Sequence, residues 1–323
     1  MSEAYAHELV ALCARFESYG TYADEGLNEG MGEGLPQRFD AAFNFVKTGG
    51  RFGRKESLED LASRTNYFRE TYAYGEEVAA PGIEPFLHHE GFVEAAREIH
   101  GRPVVEPAIV YANILLPGQE LAVHTDVPEF RGASRKAMPE WLLVVMHHSG
   151  LFVPWRMPIA TAVSWFQEAA GGAFAFYPEG AESPPRTLDA RFNSAVVVDT
   201  DSVFHGVDRV ADRGDEIPPY RPGMRLRCEE GDTWVVRDGE KAIARCRWPE
   251  LRFSISWKAY CFEDEKERRH WREGSDDLSL DFILDRLEAD LRARGRSEGA
   301  RPEPRQLATL LVDEYVHFPP ANS

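Results

Sequence analysis

Between residues 104 and 262 the chain breaks into short β-rich runs at near-regular spacing. They read "AIVYANILL", "ELAVHTD", "WLLVVMHHS", "TAVSWFQEA", "GAFAFYP", "NSAVVVDT", "SVFHGVDRV", "RLRCEEGDTWVVRDGEKAIARCRW" and "RFSISWKAY". Turn residues punctuate them: Pro117-Gly118, Gly171-Gly172, Pro178-Glu179-Gly180 and Asp238-Gly239. Many short strands at such intervals indicate a β-sandwich or barrel, and about eight suit a jelly roll. Asp238-Gly239 between two apolar runs marks a hairpin.

The flanks follow a different period. In the first hundred residues Leu9, Leu12, Cys13 and Phe16 recur at helical spacing, as do Phe39, Phe43 and Val46. Ser57 followed by Glu59 and Asp60 suits a capped helix start, and Gly101 a helix end. "GLNEGMGEGLPQ" reads as a loop. Beyond Tyr260, Leu280, Leu284, Leu287 and Leu291 form one apolar stripe, and a last helix surrounds "QLATLLVDEYV". The expected fold is therefore α+β: a double-stranded β-helix (jelly roll, cupin-like) core over 104–262 with a hairpin inserted at about 222–249. Helices over 1–103 and 263–323 pack on it, and the whole forms one catalytic unit.

Two His-x-acid triplets occur, His88-His89-Glu90 and His124-Thr125-Asp126. With 10 His and 54 acids in 323 residues, chance supplies about one or two of them. Geometry separates the pair. Residues i and i+2 share a face in a strand but lie about 200° apart in a helix, where they cannot chelate one ion. His88 and Glu90 fall at a helix start and read as capping or solvated residues. His124 and Asp126 end a strand. His205, on a later strand, supplies a third ligand, and two imidazoles with one carboxylate form the facial triad of non-haem Fe(II) oxygenases. A buried histidine with a backbone partner is the rival account of His205 taken alone. In "RFSISW" the strand phase puts Arg252, Ser254 and Ser256 on one face, where Arg252 offers a carboxylate-binding fork. A structural ion pair from Arg252 to an acid is the rival here. Tyr111 and Asn113 share a face one strand before the metal pair.

Together these residues resemble the 2-oxoglutarate/Fe(II)-dependent oxygenase superfamily in its prolyl-hydroxylase-like branch. The resemblance covers about 104–262 and rests on His-x-Asp, Gly-Gly with an aromatic strand, "FHGVDRV" and Arg-x-Ser, in that order. It implies that His124, Asp126 and His205 bind Fe(II), that Arg252 with Ser254 holds 2-oxoglutarate, and that Asn113 and Tyr111 contact this cosubstrate. It further implies O2 as the oxidant, with succinate and CO2 released. The chain departs from the pattern in two places. Leu115 stands where many relatives carry tyrosine, and Arg252 follows His205 at an unusually long interval, so Arg209 and Lys258 stay open as anchors. Halogenating relatives replace the carboxylate; Asp126 is kept, which implies hydroxylation or a related oxidation.

The segment after the metal pair offers Phe130, Arg131, Arg135, His147, Trp155 and Arg156 as substrate contacts on a small molecule, such as an amino acid or natural-product intermediate. Surface charge and core packing are the rival accounts of each. His147 and His148 are expected on opposite faces of a strand. A net charge of -17 disfavours nucleic acid and anionic membranes as partners. The amphipathic N-terminus, lacking a basic leader, predicts a cytoplasmic protein with free thiols, although Cys228 and Cys246 flank the hairpin and could face each other. Another metallo-cupin enzyme without 2-oxoglutarate, or a non-enzymatic jelly-roll binding protein, would account for the same core.

Overall fold

Strand β16 (Arg252–Phe262) is buried along its whole length, and its alternation organises the molecule. Phe253, Ile255, Trp257, Ala259 and Cys261 enter one apolar core, while Arg252, Ser254, Ser256 and Lys258 face a cavity. Period-two alternation forces this split, because successive side chains leave a strand on opposite faces. The computed structural model describes residues 1–24, 38–211 and 217–321; the expected glycine-rich loop at 26–37 lies outside them.

The earlier strands are β1 (Tyr19–Thr21), β2 (Phe68–Tyr74), β3 (Glu77–Val78), β4 (Val104–Leu115), β5 (Leu121–His124), β6 (Glu129–Phe130), β7 (Arg156–Met157) and β8 (Ile159–Trp165). They continue as β9 (Phe174–Phe176), β10 (Arg186–Leu188), β11 (Ser194–Val198), β12 (His205–Val207), β13 (Arg225–Glu230), β14 (Thr233–Asp238) and β15 (Lys241–Arg247). The larger sheet has the order β11-β8-β16-β4-β2-β1-β13-β14-β15, with β3 paired to β2. The smaller one runs β10-β9-β12-β5, and β6 pairs β7 alone.

This corrects the expected jelly roll. The fold is α+β with two open sheets and flanking helices: among the described residues neither sheet closes on itself or curls into a barrel. The larger sheet runs on through β2 and β1 to β13, β14 and β15, and so ends at an edge far from β11. β1 and β2 come from the first hundred residues, where helical spacing alone was expected. Asp238 and Gly239 do turn β14 into β15 as an antiparallel pair. Because β14 lies between β13 and β15, Cys228 and Cys246 are each paired with Trp234, one on either side, and both thiols are free.

Helices close the layers. They are α1 (Glu3–Arg15), α2 (Phe39–Thr48), α3 (Leu58–Thr65), α4 (Glu84–Leu87), α5 (Glu90–His100), α6 (Glu140–Ser149), α7 (Glu265–Glu273), α8 (Leu280–Ala293) and α9 (Pro304–Tyr315). Side chains of α1, α4 and α5 cover the outer face of the larger sheet; Phe92 packs 5.5 Å from Trp257, whose Nε1 donates to the Leu87 carbonyl at 2.7 Å. The leucine stripe of α8 joins α6 and α9 in a second core. The start of α3 is capped as expected, by Ser57 accepting from Asp60 N–H, and α5 ends on Gly101 with φ 62°. "WLLVVMHHS" departs from expectation: it is helix α6, not a strand, and ends on Gly150 in the left-handed region at φ 69°.

Candidate active site

β5 and β12 pair antiparallel with His124 opposite His205, which sets the two imidazole centroids 4.5 Å apart. The strand stops at His124, so strand phase does not place Asp126. Its N–H donates instead to the Thr200 carbonyl at 2.7 Å, which turns the chain back toward the histidines. Asp126 Oδ1 then lies 3.5 Å from His124 Nε2 and 3.6 Å from His205 Nε2. One donor atom from each of the three residues falls within 4.8 Å of the others.

The tautomers follow from the backbone. His124 Nδ1 lies 2.6 Å from the Ala122 carbonyl and His205 Nδ1 2.9 Å from the Val203 carbonyl. A carbonyl only accepts, so each Nδ1 carries the proton and each Nε2 lone pair faces the common point, as a metal ligand requires. Burial, reinforced by His205, lowers the pKa of His124 to about 4, which keeps it neutral. Burial opposes the charge of Asp126, but Lys258 outweighs it and holds the carboxyl well below its usual range. Lys258 Nζ donates to Asp126 Oδ2 at 2.7 Å, leaving Oδ1 toward the histidines. A cation fits this donor set: two imidazole lone pairs and one carboxylate oxygen point at one place.

The triad opens on a cavity of about 400 Å³ between the two sheets. β16 pairs with β4 so that Ser254 lies opposite Asn113 and Ser256 opposite Tyr111, and all four line the cavity. Arg252 is 1 % exposed. Its Nε donates to the Gly172 carbonyl at 2.7 Å and its Nη1 to Ser254 Oγ at 3.4 Å, while Nη2 is buried without a hydrogen-bond partner. Burial lowers its pKa to about 9, with Asp208 opposing weakly. Among the described residues no carboxylate pairs with it, so the rival ion pair is not found there. Gly172 makes room for this arginine: a Cβ there would stand 2.7 Å from Arg252 Cδ. Asn113 Nδ2 donates to Ser256 Oγ at 3.2 Å, and its buried Oδ1 has no donor.

The alternative anchors are engaged elsewhere. Arg209 bonds Glu120 and Glu56, and Lys258 holds Asp126. Of the substrate candidates, only Arg135 lines the cavity. Arg131 is forked onto Asp276 and bonds the Pro154 carbonyl. Trp155 donates to the Asp276 carbonyl, and Arg156 bonds Asp199 and Ser202. Phe130 packs on Phe152 in the second core, and His147 lies on α6 beside Ser202. His88 is the C-cap of α4 and His89 the N-cap of α5, and neither belongs to the cluster of His124, Asp126 and His205. Lys258 continues the phase of Arg252, Ser254 and Ser256, so the same alternation would have placed it on the cavity face. Arg69, Tyr22, Arg38 and Glu140 also line the cavity and carried no sequence signal.

No family model matches the chain, and no curated protein does. Among solved structures it is similar to a 2OG-Fe(II) oxygenase family oxidoreductase from Burkholderia pseudomallei, with 12% identity, 80% of each chain covered and a TM-score of 0.39. It is also similar to a Pseudomonas putida prolyl-4-hydroxylase, at 12% identity over 79% of this chain and 98% of that one, TM-score 0.34. A third is the viral collagen prolyl hydroxylase of Paramecium Bursaria Chlorella virus-1, at 9% identity over 69% and 90%, TM-score 0.32. Likenesses this remote carry no weight for function. The side-chain geometry carries it alone: His124, Asp126 and His205 converge on one point, and the same cavity holds a buried arginine that no described carboxylate pairs with.

Proposed function

We propose that the protein is a non-haem Fe(II)- and 2-oxoglutarate-dependent oxygenase that hydroxylates a C–H bond of a small molecule. The observation that carries this reading is the pairing of the triad with Arg252, a cation whose Nη2 is buried and unsatisfied on the same cavity. A buried, unpaired guanidinium costs several kcal/mol, on the order of the penalty for any uncompensated buried ion. A ligand carboxylate would remove that cost. In the proposed assignment His124, Asp126 and His205 hold the metal, and Arg252 with Ser254 receives the distal carboxylate of 2-oxoglutarate. Asn113 and Tyr111 line the path between them. Bound iron supplies the means to split O2 and oxidise a C–H bond while 2-oxoglutarate becomes succinate and CO2.

The protein's own side chains do the rest. The two Nδ1–H to carbonyl bonds fix both imidazoles, and Lys258 leaves one Asp126 oxygen to face the metal. Val163, Leu115, Phe174 and Val207 give the cavity an apolar wall. The test is 2-oxoglutarate turnover. Protein supplied with Fe(II), O2 and 2-oxoglutarate is expected to form succinate slowly even without substrate, and Asp126→Ala to form none above buffer. Equal succinate from both would remove the reading.

A further inference from the structure

Helix α2 carries two apolar stripes. Phe39 and Phe43 pack into the second core, with the Phe39 ring 6.1 Å from that of Trp141. Ala41, Ala42, Phe45 and Val46 face the cavity instead. Residues at i and i+4 share a helix face, so Ala41 with Phe45 and Ala42 with Val46 form one continuous stripe. α3 adds Leu61 and Ala62, and both helices lie against β5, the strand that ends on His124. Gly50, at φ 69°, seats the ring of Phe45: a Cβ there would stand 2.7 Å from it. Val46 is 59 % exposed, and Ala42 and Ala62 are exposed too, so the two helices border the mouth of the cavity.

The polar groups at this end are engaged within the protein. Arg38 donates to Asp40 at 3.1 and 2.9 Å and to the Thr125 carbonyl at 2.9 Å. Tyr22 donates to Glu140 at 3.2 Å, and Thr65 to the Leu61 carbonyl at 3.0 Å. Asn66 accepts from the Ala23 N–H at 3.0 Å and donates to the Tyr220 carbonyl at 3.4 Å. Arg69 stacks 4.3 Å over the Tyr111 ring, and Arg135 stands 4.0 Å from Glu129, its Nε buried without an acceptor. The opposite end of the cavity differs, since Arg252 Nη2 and Asn113 Oδ1 have no partner there. A ligand between α2 and α3 therefore gains little from hydrogen bonds and more from covering apolar surface.

We infer that the chamber bordered by α2 and α3 receives the body of the substrate, and that this body is apolar: an alkyl or aryl group, not a sugar or a zwitterion. The whole cavity, about 400 Å³, is of small-molecule size, and one continuous space reaches from Val46 to the triad. Tyr22 and Tyr67, stacked with centroids 5.2 Å apart, add an aromatic pair to the lining. A polyhydroxylated body would give up its water and find the polar groups of this chamber already taken. The inference rests on the oxygenase reading, which makes the occupant of this end, beside metal and cosubstrate, the substrate.

The experiment loads the full chain with Mn(II) and N-oxalylglycine, an unreactive analogue of 2-oxoglutarate. It then titrates N-phenyl-1-naphthylamine, a neutral fluorophore that brightens in apolar surroundings, and displaces it with the straight-chain alcohols from 1-butanol to 1-octanol. The probe should saturate, and each added CH₂ should tighten the alcohol by about fourfold. Methyl glucoside and proline should not displace it. Mn(II) should broaden the NMR lines of bound octanol, as Zn(II) in its place does not, because the chamber opens on the triad. Ala42→Glu and Ala62→Glu, at exposed helix positions, should each weaken probe and octanol by about tenfold. Loading of Mn(II) and N-oxalylglycine reports that each variant is folded, and the alcohol series in the wild type needs no variant. No probe binding, affinities that do not climb with chain length, or displacement by glucoside or proline as strong as by octanol overturns the inference while the oxygenase reading stands. So does binding that both substitutions leave unchanged, or octanol that Mn(II) does not broaden. Failure of the wild type to load Mn(II) and N-oxalylglycine overturns both.

Discussion

At the scale of single residues, the candidate metal ligands owe their convergence to main-chain contacts as much as to spacing. The register of His124 against His205, the Nδ1 bonds to Ala122 and Val203, and the tether from Asp126 to Thr200 together aim three donors at one point. Spacing alone made His124 and Asp126 visible, and alternation made Arg252, Ser254, Asn113 and Tyr111 visible, because both are local properties of a strand. Arg131, Arg156 and Trp155 were misplaced for the opposite reason. Their side chains answer to Asp276 and Asp199, which lie far along the chain, and no local pattern names such a partner. Arg69 escaped notice on the same ground: only the pairing of β2 with β4 brings it to the cavity. Arg252 gives a prediction at this scale. A hydrogen bond to a charged group contributes about 1.5–3 kcal/mol. Arg252→Met should therefore weaken 2-oxoglutarate by roughly 10- to 100-fold and leave Mn(II) affinity within about twofold, as isothermal titration would show. Equal loss of metal affinity would place Arg252 in the framework of the site, not in cosubstrate binding.

Among elements, α6 teaches most. An apolar run such as "WLLVVM" cannot be told from a buried strand by periodicity, since every position is apolar. Seven of its side chains, Glu140 through Met146, are buried, which a two-sided strand and an enclosed helix both satisfy. Length decides: ten residues closed by a left-handed glycine suit a helix. The helix carries His147 and His148 in its last turn, where the helix dipole favours protonation. Burial wins: it lowers His147 to about 3, with Arg156 adding to it, and lowers His148 to about 4. His148 stacks on Phe204 at 5.4 Å and meets Thr125 at 3.3 Å, so the helix end is tied to the loop before Asp126. Both folded pKa values lie below the unfolded one near 6.5. The stability they contribute is complete above that value, declines as pH falls below it, and is fully lost below about 4 for His148 and about 3 for His147. At pH 5 the pair should have cost roughly 2–4 kcal/mol. Chemical denaturation of wild type and of His147→Asn/His148→Asn, at pH 7 and pH 5, measures this. Wild type should lose more than the variant over that interval, and parallel loss would refute the assignment.

The molecule as a whole carries a net charge of -17, yet five of its basic side chains line the cavity. Among the described residues no helix is long and apolar enough to cross a membrane. Strand count predicted a β-rich core and did not predict how the strands connect. The expected jelly roll gave way to two open sheets because β1, β2 and the β13–β15 strands extend one of them at a side chosen by non-local pairing. The candidate site survived that error, since it depends on one short pairing in the smaller sheet and one alternation in the larger. The most direct test of the central claim is an anaerobic titration of the protein with Fe(II) and then 2-oxoglutarate, followed in the visible range. Wild type should develop the weak charge-transfer band of an iron-bound 2-oxo acid, saturating at one equivalent per chain, and His205→Ala should develop none. A wild-type protein that shows no band, or a band that His205→Ala retains, would contradict the account.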